Sequence, residues 1–347
     1  MKNNENNSLA LRNAAAKGEF EKLENILKGE LTYDINAKSS TGGNTPLLWA
    51  ATRLCEAVKE KNTKKEATYK KIILTLLDYG ADDTVSNDNK ENLFSLLLND
   101  AIFLAKVLEK EARRKFTLEE DISYVNFALL ASRLFFQIFS LKIHENYFNK
   151  EKINMLSLGC GICLDFYVLD KLCKIYGKEL TYYGVDIDID TENKQSFNSN
   201  FLEQYKNIKL FCADATNISE LNKLFDGVKF NFGLMRNPDF LTEKRKEIFS
   251  KMMNITLPIY LEDQSPVLFT LGSEEETNYF SEQEGIKESI FYKAKSNNFS
   301  IIKKSILKFF AKEDETITIS QLDEIAVILR FNEDNFKNLH NKKQFKL

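Results

Sequence analysis

The sequence has 347 residues, which is enough for two domains of ordinary size. A hydrophobic content of 43% supports a substantial core, and a charged content of 29% supplies a hydrated surface. The net charge of −3 argues against a general nucleic-acid-binding protein, because such proteins usually carry a basic domain. We therefore expect no nucleic-acid partner.

The chain carries no sequence signal for export or membrane insertion. Residues 1–7 are polar and lack the apolar core of a signal peptide. The most apolar stretch, residues 127–141, is too short to span a membrane. The five cysteines are an odd number inside predicted buried elements, which is typical of a reducing compartment without a disulfide framework. These features predict a cytoplasmic protein without a membrane span.

Residues 1–110 contain three copies of a helix-pair pattern. The middle copy begins with Gly-Asn-Thr-Pro-Leu-Leu-Trp-Ala-Ala at residues 43–51 and ends with Asp-Tyr-Gly-Ala-Asp at residues 78–82. It resembles an ankyrin repeat, although a polar insert at residues 53–69 makes it longer than the usual period of about 33 residues. Weaker copies precede and follow it, at residues 11–37 and 92–108.

Three ankyrin repeats are about the minimum for a stable stack, because each repeat buries its apolar face only against its neighbours. The resemblance implies an N-terminal ankyrin-repeat solenoid with a concave surface that binds a protein partner. The alternative is that the short stack only packs against a second domain. After it, residues 111–150 are predicted to be helical, since apolar residues recur there at helical spacing.

A strand, a glycine turn, a helix and a second strand follow in the middle of the chain. Apolar residues 153–158 lead into Gly159 and Gly161, and residues 182–185 lead into Asp186. In a right-handed βαβ unit, the turn and the acid lie side by side at the carboxyl edge of a parallel sheet. Free N–H groups at the helix start, beside a carboxylate that accepts both hydroxyls of a ribose, predict a site for a nucleoside-bearing cofactor.

Differences between this turn and other glycine-rich motifs indicate which cofactor it would bind. A dinucleotide fingerprint would have a glycine in place of Leu164, and the sequence contains no P-loop motif. The turn Leu-Gly-Cys-Gly at residues 158–161, the acid Asp186 and a further acid, Asp214, after the third strand resemble class I S-adenosylmethionine-dependent methyltransferases. The resemblance begins near residue 153 and extends to the end of the chain.

This resemblance implies S-adenosylmethionine as the cofactor and S-adenosylhomocysteine as the product. Asp186 would hold the ribose, with Ile187 beside it. Asp214 would contact the adenine amino group, and the backbone N–H of Ala215 would contact a ring nitrogen. The other predicted contacts are Gly159, Cys160 and Gly161, and Arg133 from the preceding helices. Arg133 would reach the methionine carboxylate, as in some relatives; the alternative is that it snorkels or pairs with a structural acid.

Two residues depart from the family's pattern. Ser157 stands where the family usually has an acid, which removes a charge-assisted contact with the cofactor's amino group. Cys163 replaces the third glycine and is small enough to be tolerated. Cys160 and Cys163 also form a C-x-x-C motif, so a redox role is an alternative. No second cysteine or histidine pair accompanies the motif in the sequence, and we predict no metal site.

Five further strands with intervening helices are expected, which would complete a seven-stranded Rossmann-like domain. The third strand begins at residue 208, and a helix is expected over residues 276–293. The last two strands would form an antiparallel edge hairpin. The other four expected strands are residues 228–234, 267–271, 299–309 and 324–331.

The methyl acceptor is expected at the end of the fourth strand, where residues 236–240 read Arg-Asn-Pro-Asp-Phe. They partly resemble the Asn-Pro-Pro-aromatic motif of amino-group methyltransferases, in which carbonyl groups accept hydrogen bonds from the target nitrogen. The candidate catalytic residues are therefore Arg236, Asn237 and Asp239. Asp239 would recruit a cationic amine or act as a base; the alternative is that it caps the following helix.

The combined hypothesis is an α plus α/β protein with ankyrin repeats (residues 1–110), a helical linker or lid (111–150) and a methyltransferase domain (151–347). In the main hypothesis, an active methyltransferase recruits a protein substrate through its repeats. One alternative is an interaction protein with a degenerate or cofactor-only methyltransferase fold, and another is a small-molecule methyltransferase. Repeats fused to an enzyme in an asparagine- and lysine-rich chain also resemble effectors that intracellular bacteria deliver into host cells.

Overall fold

The chain divides into two compact units, Met1–Ser132 with Lys174–Tyr176, and Arg133–Cys173 with Gly177–Leu347. Within the part that the structure describes, no helix is both long and apolar enough to cross a membrane. The structure is a computed structural model that describes residues 2–29, 32–115, 131, 134, 135, 138, 148, 150–161, 163–189, 203–236, 242–263, 265–271, 290–292 and 325–330.

The described part of the first unit contains helices that stack in two rows. In one row α1 packs against α3 and α3 against α5; in the other, α2 packs against α4 and α4 against α6. Within the first two pairs, α1 also contacts α2 and α3 contacts α4. The helices are α1 (Lys2–Lys17), α2 (Phe20–Lys28), α3 (Pro46–Lys59), α4 (Thr63–Asp78), α5 (Leu93–Leu96) and α6 (Ala101–Lys115).

The loops that precede α3 and α5 lie side by side. The backbone N–H of Asp82 donates to Asn36 Oδ1 at 2.9 Å, and the N–H of Asp88 donates to the Gly42 carbonyl at 3.2 Å. The polar insert at residues 53–69 extends α3 and α4, so most of the additional period length is helix. Helix rows with hydrogen-bonded loops give this unit a repeating arrangement along the chain.

The second unit is built on one mixed sheet. In the described residues its strand order is β3-β2-β1-β4-β5-β7-β6. The first five of these strands are parallel, and β7 is antiparallel to both β5 and β6. The strands are β1 (Lys152–Leu158), β2 (Glu179–Asp186), β3 (Ile208–Cys212), β4 (Phe232–Arg236), β5 (Pro266–Leu271), β6 (Ile290–Tyr292) and β7 (Ile325–Arg330).

The order of the parallel strands reverses at the neighbouring pair β1 and β4. In Rossmann-like sheets, ligands bind outside the carboxyl ends of the strands at such a reversal. Both central strands, β1 and β2, have long runs of buried residues, which is expected for parallel strands with helices on both faces. The predicted βαβ unit is confirmed, with its helix at Leu164–Ile175 (α7).

Helices cover the two faces of the sheet. On one face, the Phe166 ring of α7 packs edge-on against Tyr182 with centroids 5.3 Å apart. On the other face, the ring of Phe225 lies between those of Phe230 and Tyr260, with centroid distances of 5.1 and 4.9 Å. The remaining helical elements are α8 (Ile218–Phe225), α9 (Glu243–Lys251), a π-helical turn (Met252–Thr256) and α10 (Leu257–Tyr260).

Two expected elements differ from the structure. The fourth strand was expected at residues 228–234, but β4 starts at Phe232, because Phe230 forms an isolated bridge with Leu261. The helix expected over residues 276–293 is wrong at its end, where Ile290–Tyr292 form the edge strand β6. Three β-branched or aromatic residues in a row suit a strand better than a helix.

Other expectations fall largely outside the described residues. The strand expected at 299–309 and the rest of the helix expected at 276–289 belong to this part of the chain. In the predicted linker, helical conformation is described at four buried residues, Ala131, Leu134, Phe135 and Ile138.

Candidate cofactor site

A tight turn connects β1 to α7 at the carboxyl edge of the sheet. The backbone N–H of Gly159 donates to the carbonyl of Val185 at 2.8 Å, which ties the turn to β2. Gly159, Gly161 and Cys163 have positive φ angles of 71°, 50° and 55°. Glycine adopts this left-handed region without steric cost, whereas Cys163 does so with some strain.

One side of this turn, here called the upper side, is open among the residues that the structure describes. A Cβ added at Gly159 or Gly161 would meet no heavy atom within 4 Å among the described residues. The lower side is packed, because a Cβ at Gly184 of β2 would lie 2.7 Å from Cys160 Sγ. Among the described residues, a ligand could therefore approach the turn from one side, and the other side is packed against β2.

Asp186, at the end of β2, is brought to this turn. Its Oδ2 accepts a hydrogen bond from the N–H of Gly161 at 3.0 Å. Its Oδ1 accepts one from the N–H of Asp188, also at 3.0 Å. Each carboxylate oxygen has a second lone pair, so both can accept a further hydrogen bond from a ligand hydroxyl. The carboxylate is half-buried and held beside the open turn.

Asp214 and Ala215 follow β3 at the same edge of the sheet. The N–H of Ala213 donates to the carbonyl of Asp186 at 3.2 Å, which places this segment next to β2. The exposed Asp214 side chain accepts hydrogen bonds from the N–H and the hydroxyl of Thr216, both at 2.8 Å to Oδ1. The carbonyl of Ala215 accepts one from Thr256 Oγ1 at 2.8 Å, so the π-helical turn supports this loop.

Of the six other predicted site residues, three belong to the described part of the chain and three do not. Ile187 is 65% exposed and follows Asp186, so its apolar side chain is available to a ligand. Cys160 is 1% exposed, and its backbone N–H donates to the carbonyl of Val185 at 3.3 Å. Arg236 ends β4, where its backbone pairs with Thr270. Three predicted residues, Arg133, Asn237 and Asp239, lie outside the described residues.

Several solved methyltransferases are similar to this chain. One, described as a class I S-adenosylmethionine-dependent methyltransferase from Listeria monocytogenes, is 14% identical with a TM-score of 0.37 over 92% of this chain and 88% of that one. The N-methyltransferase NodS from Bradyrhizobium japonicum is 10% identical with a TM-score of 0.35, over 57% and 97%. A third, described as a methyltransferase complexed with S-adenosylhomocysteine, is 9% identical with a TM-score of 0.34, over 58% and 49%.

This chain therefore spans about half the length, 49%, of the third protein. No protein-family profile and no curated protein matches the sequence.

Sequence reasoning missed a buried polar network beneath the turn. Asp165, in the first turn of α7, accepts hydrogen bonds at Oδ2 from Ser157 Oγ at 2.9 Å and from the Tyr182 hydroxyl at 2.6 Å. All three side chains are 0% exposed. An acid in the first turn of a helix is a common stabilising feature, so the sequence alone does not mark Asp165 as special.

The cysteines of the turn are predicted to react slowly with alkylating agents. A hydrogen bond with Cys163, together with burial, raises the pKa of the Cys160 thiol well above its ordinary value. Less thiolate and less access both slow alkylation. Near neutral pH, we expect iodoacetamide to label the exposed Cys212 at least about tenfold faster than Cys160, Cys163 or the buried Cys173.

Peptide mass spectrometry after timed quenching measures these rates. The denatured protein is the control, since its cysteines should react at similar rates. Labelling of Cys160 as fast as Cys212 in the folded protein would contradict the packed lower side of the turn.

Proposed function

We propose that the second unit is an S-adenosylmethionine-dependent methyltransferase. The observation that carries the proposal is the open glycine turn after β1, held against the Asp186 carboxylate by the hydrogen bond from Gly161. It lies where the order of the parallel strands reverses, which is the usual ligand position in such sheets.

The chemistry of these groups fits an adenosine-bearing cofactor. A carboxylate with free lone pairs accepts the two hydroxyls of a ribose, and Ile187 offers apolar surface next to it. The Asp214 loop, one strand further along, would take the adenine, with the N–H of Ala215 as a donor. The open backbone at Gly159 and Gly161 leaves room for the methionine portion.

When bound, S-adenosylmethionine supplies an electrophilic methyl group, so the protein chiefly positions the acceptor and handles its proton. The acceptor would lie at the carboxyl end of β4, which is the strand next to β1. There Arg236, Asn237 and Asp239 are the proposed acceptor-facing residues, on the strength of the sequence motif alone. A nitrogen acceptor is the class that this motif favours.

We propose further that the first unit is a short ankyrin-repeat stack that recruits a protein partner or substrate. Support comes from the two helix rows and from the hydrogen bonds between successive loops. Delivery of the protein into a host cell as a bacterial effector remains part of the proposal on sequence resemblance alone.

Isothermal titration of the full chain with S-adenosylmethionine and with S-adenosylhomocysteine tests the cofactor. Binding of both, and no binding of NAD at the same concentrations, is the expected result. An absence of heat with both ligands, in protein that is folded by circular dichroism, would exclude the methyltransferase proposal.

Tritiated S-adenosylmethionine, incubated with the protein and a eukaryotic cell lysate, tests the acceptor. Label on a discrete protein band supports a protein substrate, and removal of residues 1–110 should then reduce the labelling of that band. Label confined to the small-molecule fraction would favour a small-molecule acceptor. Binding of the cofactor without any transfer would favour an interaction protein that keeps the cofactor site.

A further inference from the structure

The buried network beneath the turn contains a carboxylate that the proposed function does not use. Asp165 is fully buried, and its Oδ2 accepts hydrogen bonds from Ser157 on β1 and Tyr182 on β2. Burial of a carboxylate is costly unless polar groups compensate for the lost hydration. Side chains from β1, β2 and α7 therefore meet at the Asp165 carboxylate.

Several contacts of Asp165 compensate for the burial of its carboxylate. Two hydroxyl groups donate to the same oxygen, and hydrogen bonds to a carboxylate stabilise the ionised state. Asp165 also lies in the first turn of α7, where the helix dipole favours negative charge. These hydrogen bonds and the helix start offset part of the cost of burying a negative charge at this position.

The effect of this charge extends to the turn itself. The negative charges of Asp165 and Asp186 both contribute to the raised pKa of the Cys160 thiol, after the Cys163 hydrogen bond and burial. Burial and the nearby Asp165 likewise raise the pKa of Tyr182 well above its ordinary value. In a poorly hydrated interior, such a charge acts over a longer range than it would in water.

The location of Asp165 is also specific. Its Oδ2 lies 2.9 Å from Ser157 Oγ, in the last part of the strand that leads into Gly159. The carboxylate therefore lies within hydrogen-bond distance of the side chain at position 157. A ligand bound on the open side of the turn would sit above this buried charge.

We propose that Asp165 is a positioning residue of the cofactor site, whose buried carboxylate favours a ligand with an ammonium group above the glycine turn. This inference rests on the proposed function, because S-adenosylmethionine and S-adenosylhomocysteine both carry such an ammonium group. In this proposal, Asp165 on α7 supplies the negative charge that a serine at position 157 of β1 lacks.

The test compares two ligands that differ only in the ammonium group. The first is S-adenosylhomocysteine, and the second is its analogue that lacks the amino group but keeps the carboxylate. Titration of the wild type gives the ratio of the two dissociation constants. In Asp165→Asn, which keeps the shape of the side chain, we expect this preference for the ammonium ligand to fall by about tenfold.

A matched control lies on the same helix. Asp170 is 5% exposed and accepts a hydrogen bond from Asn207 Nδ2 at 2.8 Å, further along α7 from the turn. Asp170→Asn makes the same chemical change to a buried carboxylate. It should leave the ratio unchanged, even if it lowers stability. A purely structural role for Asp165 would weaken both ligands equally and also leave the ratio unchanged.

A double variant keeps the test informative if Asp165→Asn does not fold. Ser157→Asp with Asp165→Asn moves the acid from α7 to β1 and keeps one negative charge in the network. We expect it to bind the ammonium ligand with the preference of the wild type. Loss of that preference in a folded double variant would overturn the inference.

The outcomes separate the two proposals. If the wild type binds neither ligand, the proposed cofactor is wrong, and the inference about Asp165 fails with it. If the wild type binds S-adenosylhomocysteine but Asp165→Asn keeps the full preference for the ammonium ligand, only the role of Asp165 is wrong.

Discussion

Replacement of Asp186 by alanine should weaken the binding of S-adenosylhomocysteine by at least about 100-fold, because the two charge-assisted hydrogen bonds that we propose to the ribose would be lost. The substitution also removes the acceptor for the N–H of Gly161, so the turn loses the hydrogen bond that holds it against the end of β2. Isothermal titration measures the dissociation constant, and a thermal melt verifies that the variant is folded.

Asp188→Ala is the matched control for this prediction. Asp188 is exposed, follows Asp186 by two residues, and contributes only its backbone N–H to the carboxylate of Asp186. Its substitution should change the dissociation constant by less than about threefold. Equal affinities of the wild type and Asp186→Ala would show that the ligand does not bind at the glycine turn.

Replacement of Phe225 by alanine should lower the free energy of unfolding of the second unit by about 3–5 kcal/mol. Phe225 is 1% exposed and anchors α8 to the sheet. Its ring contacts four other aromatic rings. Removal of the Phe225 ring therefore leaves a cavity that the surrounding side chains cannot fill. The four neighbours are Tyr183, Phe211, Phe230 and Tyr260.

Hydrogen exchange of the backbone amides of β2 and β4, followed by mass spectrometry, measures this loss through the slowest-exchanging amides. Ile255→Ala is a suitable control, since Ile255 is 41% exposed in the same unit. It should cost less than about 1 kcal/mol. A similar small effect of Phe225→Ala would mean that the aromatic rings around Phe225 contribute little to stability.

The central βαβ unit is predictable from the sequence because its signals are local. Apolar runs, a glycine turn and a helical periodicity follow each other without interruption, and the chain itself brings Asp186 back to Gly161. The start of β4 is not predictable in this way. Phe230 belongs to an alternating apolar pattern that continues into β4, yet its backbone pairs with Leu261, which is distant in sequence.

The acid beneath the turn shows why part of the candidate site escapes sequence reasoning. Ser157 stands where the family that the chain resembles usually has a carboxylate, and the carboxylate beside it belongs to Asp165 of α7. Only the packing of α7 onto β1 and β2 brings Asp165 between Ser157 and Tyr182. A motif describes residues that are neighbours in the chain, whereas this network joins residues that are neighbours only in the fold.

Gly184 has a consequence for how the ligand platform can be altered. It lies opposite Ser157 in the sheet, directly below Cys160, and it has no side chain to lift the backbone above it. The position of the turn above the sheet therefore depends on a residue of β2 that is separate from the proposed ligand-binding residue Asp186 at the end of the same strand. A protein engineer who wished to tilt a nucleoside at this turn without changing Asp186 would begin with Gly184.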